Sequence, residues 1–165
     1  MIGGLGSLKA EEEIGRLLAE RGLSLGLAES CTGGIIASRI TSVPGSSAYF
    51  AGCVVAYDNR VKERLLSVPD RELTLYGAVS GEVARFMAGG AKKALVTDIG
   101  LAVTGIAGPG GGTREKPVGL VYVTLDAPGV VITRELRLGG DRDQIRSATV
   151  EAALDMLRNY LLEGK

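Results

Sequence analysis

Three apolar runs of strand length, 23–28, 49–57 and 99–104, are separated by segments with helical spacing. This alternation constrains the fold most, because strands joined through helices pair in parallel and need cover on both sheet faces. Ahead of the first run, Ala10–Arg21 places Ile14, Leu17 and Leu18 on one helical face, with Glu11, Glu12 and Glu13 near its start and Gly22 as its stop. Further helices are predicted over 33–41, 60–67, from about 70 to 76, and from Ser80 to Leu95. The 60–67 helix carries Val61, Leu65 and Leu66 as its apolar stripe, with Lys62 off it. The longest of these four turns Val83, Phe86, Met87 and Ala91 inward and contains Gly89-Gly90, which lowers helix propensity by roughly 1 kcal/mol per glycine.

After the third run come strands 118–125 and 130–138, joined through Asp126-Ala127-Pro128-Gly129. Pro then Gly suits a type II turn, so these two form an antiparallel hairpin. Gly139-Gly140-Asp141 caps a final helix to about Leu162, with Ile145, Ala148, Ala152 and Met156 inward. The chain is expected to be α/β: one domain over 1–165, a three-layer α/β/α sandwich with a mixed, mainly parallel five-stranded sheet and a C-terminal hairpin plus helix.

Composition narrows the chemistry. The 165 residues include no histidine, which excludes a Ser-His-Asp triad, a Cys-His dyad and a His-ligated zinc site within this chain. Lys+Arg and Asp+Glu number 19 each and aromatics are 4%, so neither a basic groove nor a stacking platform for nucleic acid is expected. No apolar run approaches the ~20 residues of a membrane span. Met1-Ile2-Gly3-Gly4 is too short and uncharged for a signal peptide. Cys31 and Cys53 make no disulfide framework, so a reduced, cytoplasmic setting is expected.

The first apolar run ends in Glu29-Ser30-Cys31-Thr32-Gly33-Gly34 before helical spacing begins at Ile35. Hydroxyls and a thiol at a strand-to-helix turn sit where nucleophiles stand in open α/β proteins. The plain alternative is that Ser30 or Thr32 caps the next helix. In a parallel sheet the carboxyl ends of the three runs share one edge. Ser30, Tyr57, Thr104 and Gly105 then gather there, with Lys62 about one turn into the following helix and Arg142 opening the last one. The glycine-rich stretch Gly105–Thr113 completes neither Gly-x-x-x-x-Gly-Lys-Ser/Thr nor Gly-x-Gly-x-x-Gly, and it leads into a strand. Its backbone N–H groups, Gly108 and Gly110 among them, still suit an anion.

Six ordered motifs carry a resemblance. They are Ala28-Glu29-Ser30-Cys31-Thr32-Gly33-Gly34, Val43-Pro44-Gly45-Ser46-Ser47-Ala48-Tyr49-Phe50, Gly77-Ala78-Val79-Ser80, Val103-Thr104-Gly105-Ile106-Ala107-Gly108-Pro109, Glu115-Lys116-Pro117-Val118-Gly119 and Gly140-Asp141-Arg142. From about residue 10 to its end the chain resembles the CinA C-terminal domain family of competence/damage-inducible proteins and stand-alone nicotinamide mononucleotide amidases. The resemblance implies a three-layer α/β/α sandwich and deamidation of nicotinamide mononucleotide to nicotinic acid mononucleotide and ammonia, with no cofactor or metal. It implies Ser30 as the reacting serine and Lys62, Tyr57 and Thr104 as its catalytic companions, with Arg142 carried over as well. The expected substrate-binding set is Gly33, Gly34, Ser46, Ser47, Gly105, Gly108, Gly110 and Arg142. One departure follows Tyr57: Asp58-Asn59-Arg60 stand where the family often shows Ser-Asn-Glu, which sets a carboxylate beside the lysine.

The expected mechanism is serine acyl transfer with lysine as base. Lys62 must be neutral near pH 7, about 3 units below the ordinary ~10.4, which burial or a nearby cation achieves. Tyr57 relays a proton or orients the lysine, and the Gly33 and Gly34 N–H groups hold the oxyanion. The expected partners are a small-molecule nucleotide and further copies of the chain, with no nucleic acid and no membrane. Two alternatives compete: a nucleotide-binding sensor or interaction domain without turnover, and a hydrolase holding Mg²⁺ through Glu29, Asp58 or Asp141.

Overall fold

The computed structural model describes residues 9–164. Met1–Gly4, expected not to act as a leader, lies outside them. The element order is α1 (Ala10–Arg21), β1 (Leu25–Glu29), α2 (Ile35–Thr41), a 3-10 turn at Ser46–Ala48, β2 (Phe50–Val55), α3 (Asn59–Leu66), α4 (Asp70–Tyr76), α5 (Gly81–Leu95), β3 (Ile99–Gly105), β4 (Leu120–Ala127), β5 (Val130–Arg137) and α6 (Arg142–Glu163).

The sheet runs β2-β1-β3-β4-β5. Strand β1 pairs in parallel with β2 and β3, while β4 runs antiparallel to β3 and β5. Four strands therefore share one direction and β4 opposes them, giving the expected mixed sheet with its C-terminal hairpin. Strand parity divides the core in two. Leu25, Leu27, Leu101 and Val103 pack with α1, α2 and α6. Ala28 and Ala102 pack with α3, α4 and α5 on the other face.

Boundaries shift where caps and turns take residues from strands. Gly22 caps α1 in the left-handed region and Leu23 N–H donates to Leu18 O, so β1 begins at Leu25 rather than Leu23. Pro117 and Gly119 form a turn in which Leu120 N–H donates to Pro117 O, which delays β4 from 118 to Leu120. Three inward faces also differ from the sequence reading. On α3, Leu65 is exposed and Lys62 is buried beside Leu66. Phe86 on α5 is exposed. On α6 the buried face runs through Thr149, Val150, Ala153, Leu154 and Leu157, one position beyond the half-buried Ala148 and Ala152. In Gly89-Gly90 the second glycine has a packing reason: a Cβ there would lie 2.0 Å from Leu66 O, so it lets α5 and α3 touch backbone to backbone.

The strand order reverses at β1, with β2 on one side and β3 on the other. The carboxyl ends of β1 and β3 thus flank the crevice where open α/β sheets take their ligands.

Candidate active site

Glu29 and Ser30 are consecutive at the end of β1, and the pleat sends them to opposite faces. Glu29 is fully buried and turns toward α2. Its carboxylate accepts from Thr32 Oγ1 at 2.6 Å, Gly34 N at 3.0 Å, Ile36 N at 3.2 Å and Ala37 N at 2.8 Å. It therefore supplies the acceptors that the first turn of α2 lacks. Neither Ser30 nor Thr32 caps the helix; Gly34 is the capping position and offers no side chain. Gly33 and Gly34 have φ +60° and +99°, which delays the helix from 33 to Ile35.

Ser30 is thereby left free of a capping role. Its Oγ lies 3.4 Å from Lys62 Nζ, at the long end of hydrogen-bond reach, as catalytic contacts often are before substrate binds. Lys62 is 2% exposed, and its Nζ donates to Ala56 O at 2.8 Å. Burial pulls its amine below the ordinary lysine value, outweighing the nearby Asp58 charge that raises it. A neutral amine has one lone pair, and with an N–H committed to Ala56 O that lone pair is available toward Ser30.

Asp58 and Arg60, the departure in the motif, pair with each other. Asp58 Oδ1 accepts from Arg60 N at 2.8 Å and caps α3, and Arg60 Nη2 donates to Asp58 Oδ2 at 2.9 Å. Hydrogen bonds from Arg60 hold the Asp58 carboxyl down to about 2.

Thr104 and Tyr57 reach the same rim but are already engaged. Thr104, at the end of β3, donates its hydroxyl to Ala78 O at 2.8 Å, tying the strand end to the α4–α5 connector. Tyr57 is 62% exposed and accepts from Arg142 Nη2 at 3.0 Å. Ala56 O, not Tyr57, is the oxygen that orients the lysine. Arg142 also donates through Nη1 to Gly108 O at 2.8 Å, so it bridges the glycine-rich loop to Tyr57.

The expected oxyanion donors need correction. Gly33 N–H donates to Ser30 O at 3.1 Å, and Gly34 N–H is taken by Glu29. Ser46 and Ser47 are not at this rim: they precede β2, at the opposite sheet edge, a strand length of about 20 Å away. Gly105 sits where β3 meets β4, with space for a Cβ closed by Val121 Cγ2 at 2.6 Å. Gly108 packs equally close to Val118, while Gly110 is open to solvent.

The thiols are poor competitors for the nucleophile's role. Burial pushes Cys31 up to about 11 and Cys53 up to about 12, far from thiolate at neutral pH. Of the carboxylates in the magnesium reading, Glu29 serves α2, Asp58 pairs with Arg60, and Asp141 caps α6 through Gln144 N. Among the described residues no group of three or more His, Cys, Asp or Glu side chains is placed to hold a metal ion. None of their helices is long and apolar enough to cross a membrane. A mostly apolar concavity of about 510 Å³ lies elsewhere, over α5, between Leu66, Phe86, Gly90 and Val131. It holds none of Ser30, Lys62, Tyr57 or Thr104, so shape and chemistry do not coincide there.

Arg146 is the site residue that the sequence reading missed. From α6 its Nε donates to Cys31 O at 3.2 Å and its Nη2 to Thr32 O at 3.1 Å. Its place one turn after Arg142 was the available signal.

Comparison with known proteins agrees with this fold. The family described as the CinA C-terminal domain matches residues 7–161. A CinA-like protein of Dictyoglomus turgidum is 51% identical over 98% of this chain, and one of Citrifermentans bemidjiense 54% identical over 94%. The chain spans 39% and 37% of those relatives' lengths. The solved structure of the competence/damage inducible protein CihA from Agrobacterium tumefaciens is 45% identical with TM-score 0.84, covering 92% of this chain and 97% of that one. The competence damage-inducible protein A from Klebsiella pneumoniae is 31% identical with TM-score 0.90, covering 94% and 97%.

Proposed function

The chain belongs to the CinA C-terminal domain family, and on that premise we propose that it is an amidohydrolase converting nicotinamide mononucleotide to nicotinic acid mononucleotide and ammonia. The observation that supports this reading is the Ser30 Oγ to Lys62 Nζ separation of 3.4 Å, with the lysine buried and held by Ala56 O. A hydroxyl beside a desolvated amine is the arrangement that serine acyl transfer needs when no histidine is present.

In this reading neutral Lys62 takes the Ser30 proton as Oγ bonds to the carboxamide carbon. The carbonyl π electrons move to oxygen. The tetrahedral intermediate collapses as the Lys62 ammonium returns its proton to the amide nitrogen, the C–N bond breaks and ammonia leaves. Water, activated by the same amine, then releases the acid. Arg142 keeps further N–H donors beyond those given to Tyr57 and Gly108, and with the 108–112 loop these suit the phosphate. Thr104 and Tyr57 act as anchors of the rim.

The test is an ammonia assay on nicotinamide mononucleotide with nicotinamide riboside as control. Ser30→Ala and Lys62→Ala each abolish release while the circular dichroism spectrum stays that of the wild type. Near wild-type turnover in Ser30→Ala removes the serine, and tight substrate binding with no ammonia replaces the enzyme with the sensor.

A further inference from the structure

The turn that presents Ser30 is clamped from both sides. Glu29 takes its donors: Thr32 Oγ1 and Gly34 N. Arg146 takes its acceptors: the carbonyls of Cys31 and Thr32, which a single guanidinium spans at 3.2 and 3.1 Å. The guanidinium lies against Gly33, where an added Cβ would sit 3.4 Å from Nη2.

Peptide planarity carries that grip into the site. In a trans peptide the C=O and the next N–H point opposite ways. The Thr32–Gly33 peptide is fixed at both edges, its carbonyl by Arg146 and by Ile35 N–H at 3.3 Å, and its N–H by Ser30 O. The Cys31–Thr32 peptide is fixed at its carbonyl only. Among the described residues no carbonyl or carboxylate accepts from Thr32 N–H or from Cys31 N–H. With Gly33 and Gly34 committed, these two are the donors left beside the nucleophile.

We propose that Arg146 is a positioning residue for the oxyanion donors: by holding the Cys31 and Thr32 carbonyls it sets the Thr32 N–H, with that of Cys31, to receive the charge that forms when Ser30 attacks. The proposal rests on the acyl-transfer reading of the site. The charge appears on the carbonyl oxygen as the Ser30 Oγ–carbon bond forms and the Ser30 proton passes to Lys62. Asp143, 3.8 Å from Arg146 and largely exposed, is too loose a partner to supply the arginine's main purpose.

The experiment compares wild type, Arg146→Gln and Arg146→Lys in two assays, ammonia release and the rate at which a fluorophosphonate labels Ser30. In Arg146→Gln, kcat and labelling rate fall about 10²-fold, the usual loss when an oxyanion donor is removed or displaced by 1 Å. KM changes little, and the pH midpoint stays at the wild-type value because Lys62 is untouched. Arg146→Lys recovers part of the rate, since an ammonium is a point charge without the planar fork that spans two carbonyls. Wild-type kcat in folded Arg146→Gln overturns the proposal. If that variant does not fold, wild-type kcat in folded Arg146→Lys overturns it instead. A wild type that takes the label but releases no ammonia ends the amide reading, and the labelling rates still decide the role of Arg146. A wild type that does neither overturns both.

Discussion

Replacing Gly90 with alanine tests whether the α3–α5 contact sets the catalytic distance. The new Cβ would lie 2.0 Å from Leu66 O, 2.7 Å from its carbonyl carbon and 2.8 Å from its Cα. These are backbone atoms, so no rotamer change relieves the clash. Ordinary contact begins near 3.4 Å, and α3 must recede by about 1 Å or more. Lys62 lies one turn before Leu66 on the same buried face and moves with it. Its Nζ, already 3.4 Å from Ser30 Oγ, then leaves hydrogen-bond reach. We expect kcat for ammonia release to fall about 10²-fold. Stability changes less, because overpacking costs about 1–3 kcal/mol while alanine returns about 1 kcal/mol of helix propensity. Gly89→Ala is the control: its Cβ meets a carboxylate oxygen of Asp126 at 3.3 Å, which can yield. It should keep wild-type turnover and melt at or slightly above wild type. Gly90→Ala that is as active and as stable as Gly89→Ala refutes the reasoning.

Three further outcomes follow from the same contacts. Burial lowers the Lys62 pKa, so between its folded and unfolded values the unfolded chain binds more protons, and stability rises with pH across that window; Lys62→Met should flatten this rise in melting temperature, and an unchanged slope counts against a buried, proton-shedding amine. Arg39 joins buried Glu11 on α1, at 2.7 Å, to Glu151 on α6, at 2.6 Å. Arg39→Ala strands the Glu11 carboxyl and should cost about 2–3 kcal/mol, below the ~3–5 of a fully buried pair because Arg39 is partly exposed, an effect readable in urea denaturation and absent if the triad is idle. Tyr49 has a buried hydroxyl without a described partner, so Tyr49→Phe should gain about 1 kcal/mol, or ~2–4 °C in melting temperature; a lower melting temperature would show that the hydroxyl is satisfied.

How much was legible in the sequence depended on what kind of information each feature uses. The element order, the hairpin and the strand-end gathering of Ser30, Thr104 and Tyr57 are local patterns plus one topological rule, and all are present in the structure. Hydropathy alone draws the stripe, so it leaves Lys62 off the apolar face. The stripe through Val61 and Leu65 places a leucine inward that the structure leaves 55% exposed. On α3 the inward face passes through Lys62 and Leu66, and only the docking of α3 on α5, allowed by Gly90, reveals it. Likewise Ser46 and Ser47 share a motif pattern with the site but not a sheet edge.

The pair Glu29-Ser30 shows why a local reading of the nucleophile turn stays ambiguous. A serine before a helix is an ordinary cap, and nothing in Ser30 to Gly34 says otherwise. What removes the ambiguity is the carboxylate one residue earlier. Because the pleat turns it to the α2 face, it satisfies Thr32, Gly34, Ile36 and Ala37. The helix then needs nothing from Ser30, whose hydroxyl projects to the other face, where α3 brings Lys62. Replacing Glu29 with glutamine keeps the volume but puts an NH₂ where one acceptor stood. The turn would have to reorganise, because an N–H group of α2 or the Thr32 hydroxyl would lose its acceptor. The assignment of cap and nucleophile to separate residues is thus made by strand parity, and the chemistry available at Ser30 depends on the burial of its neighbour.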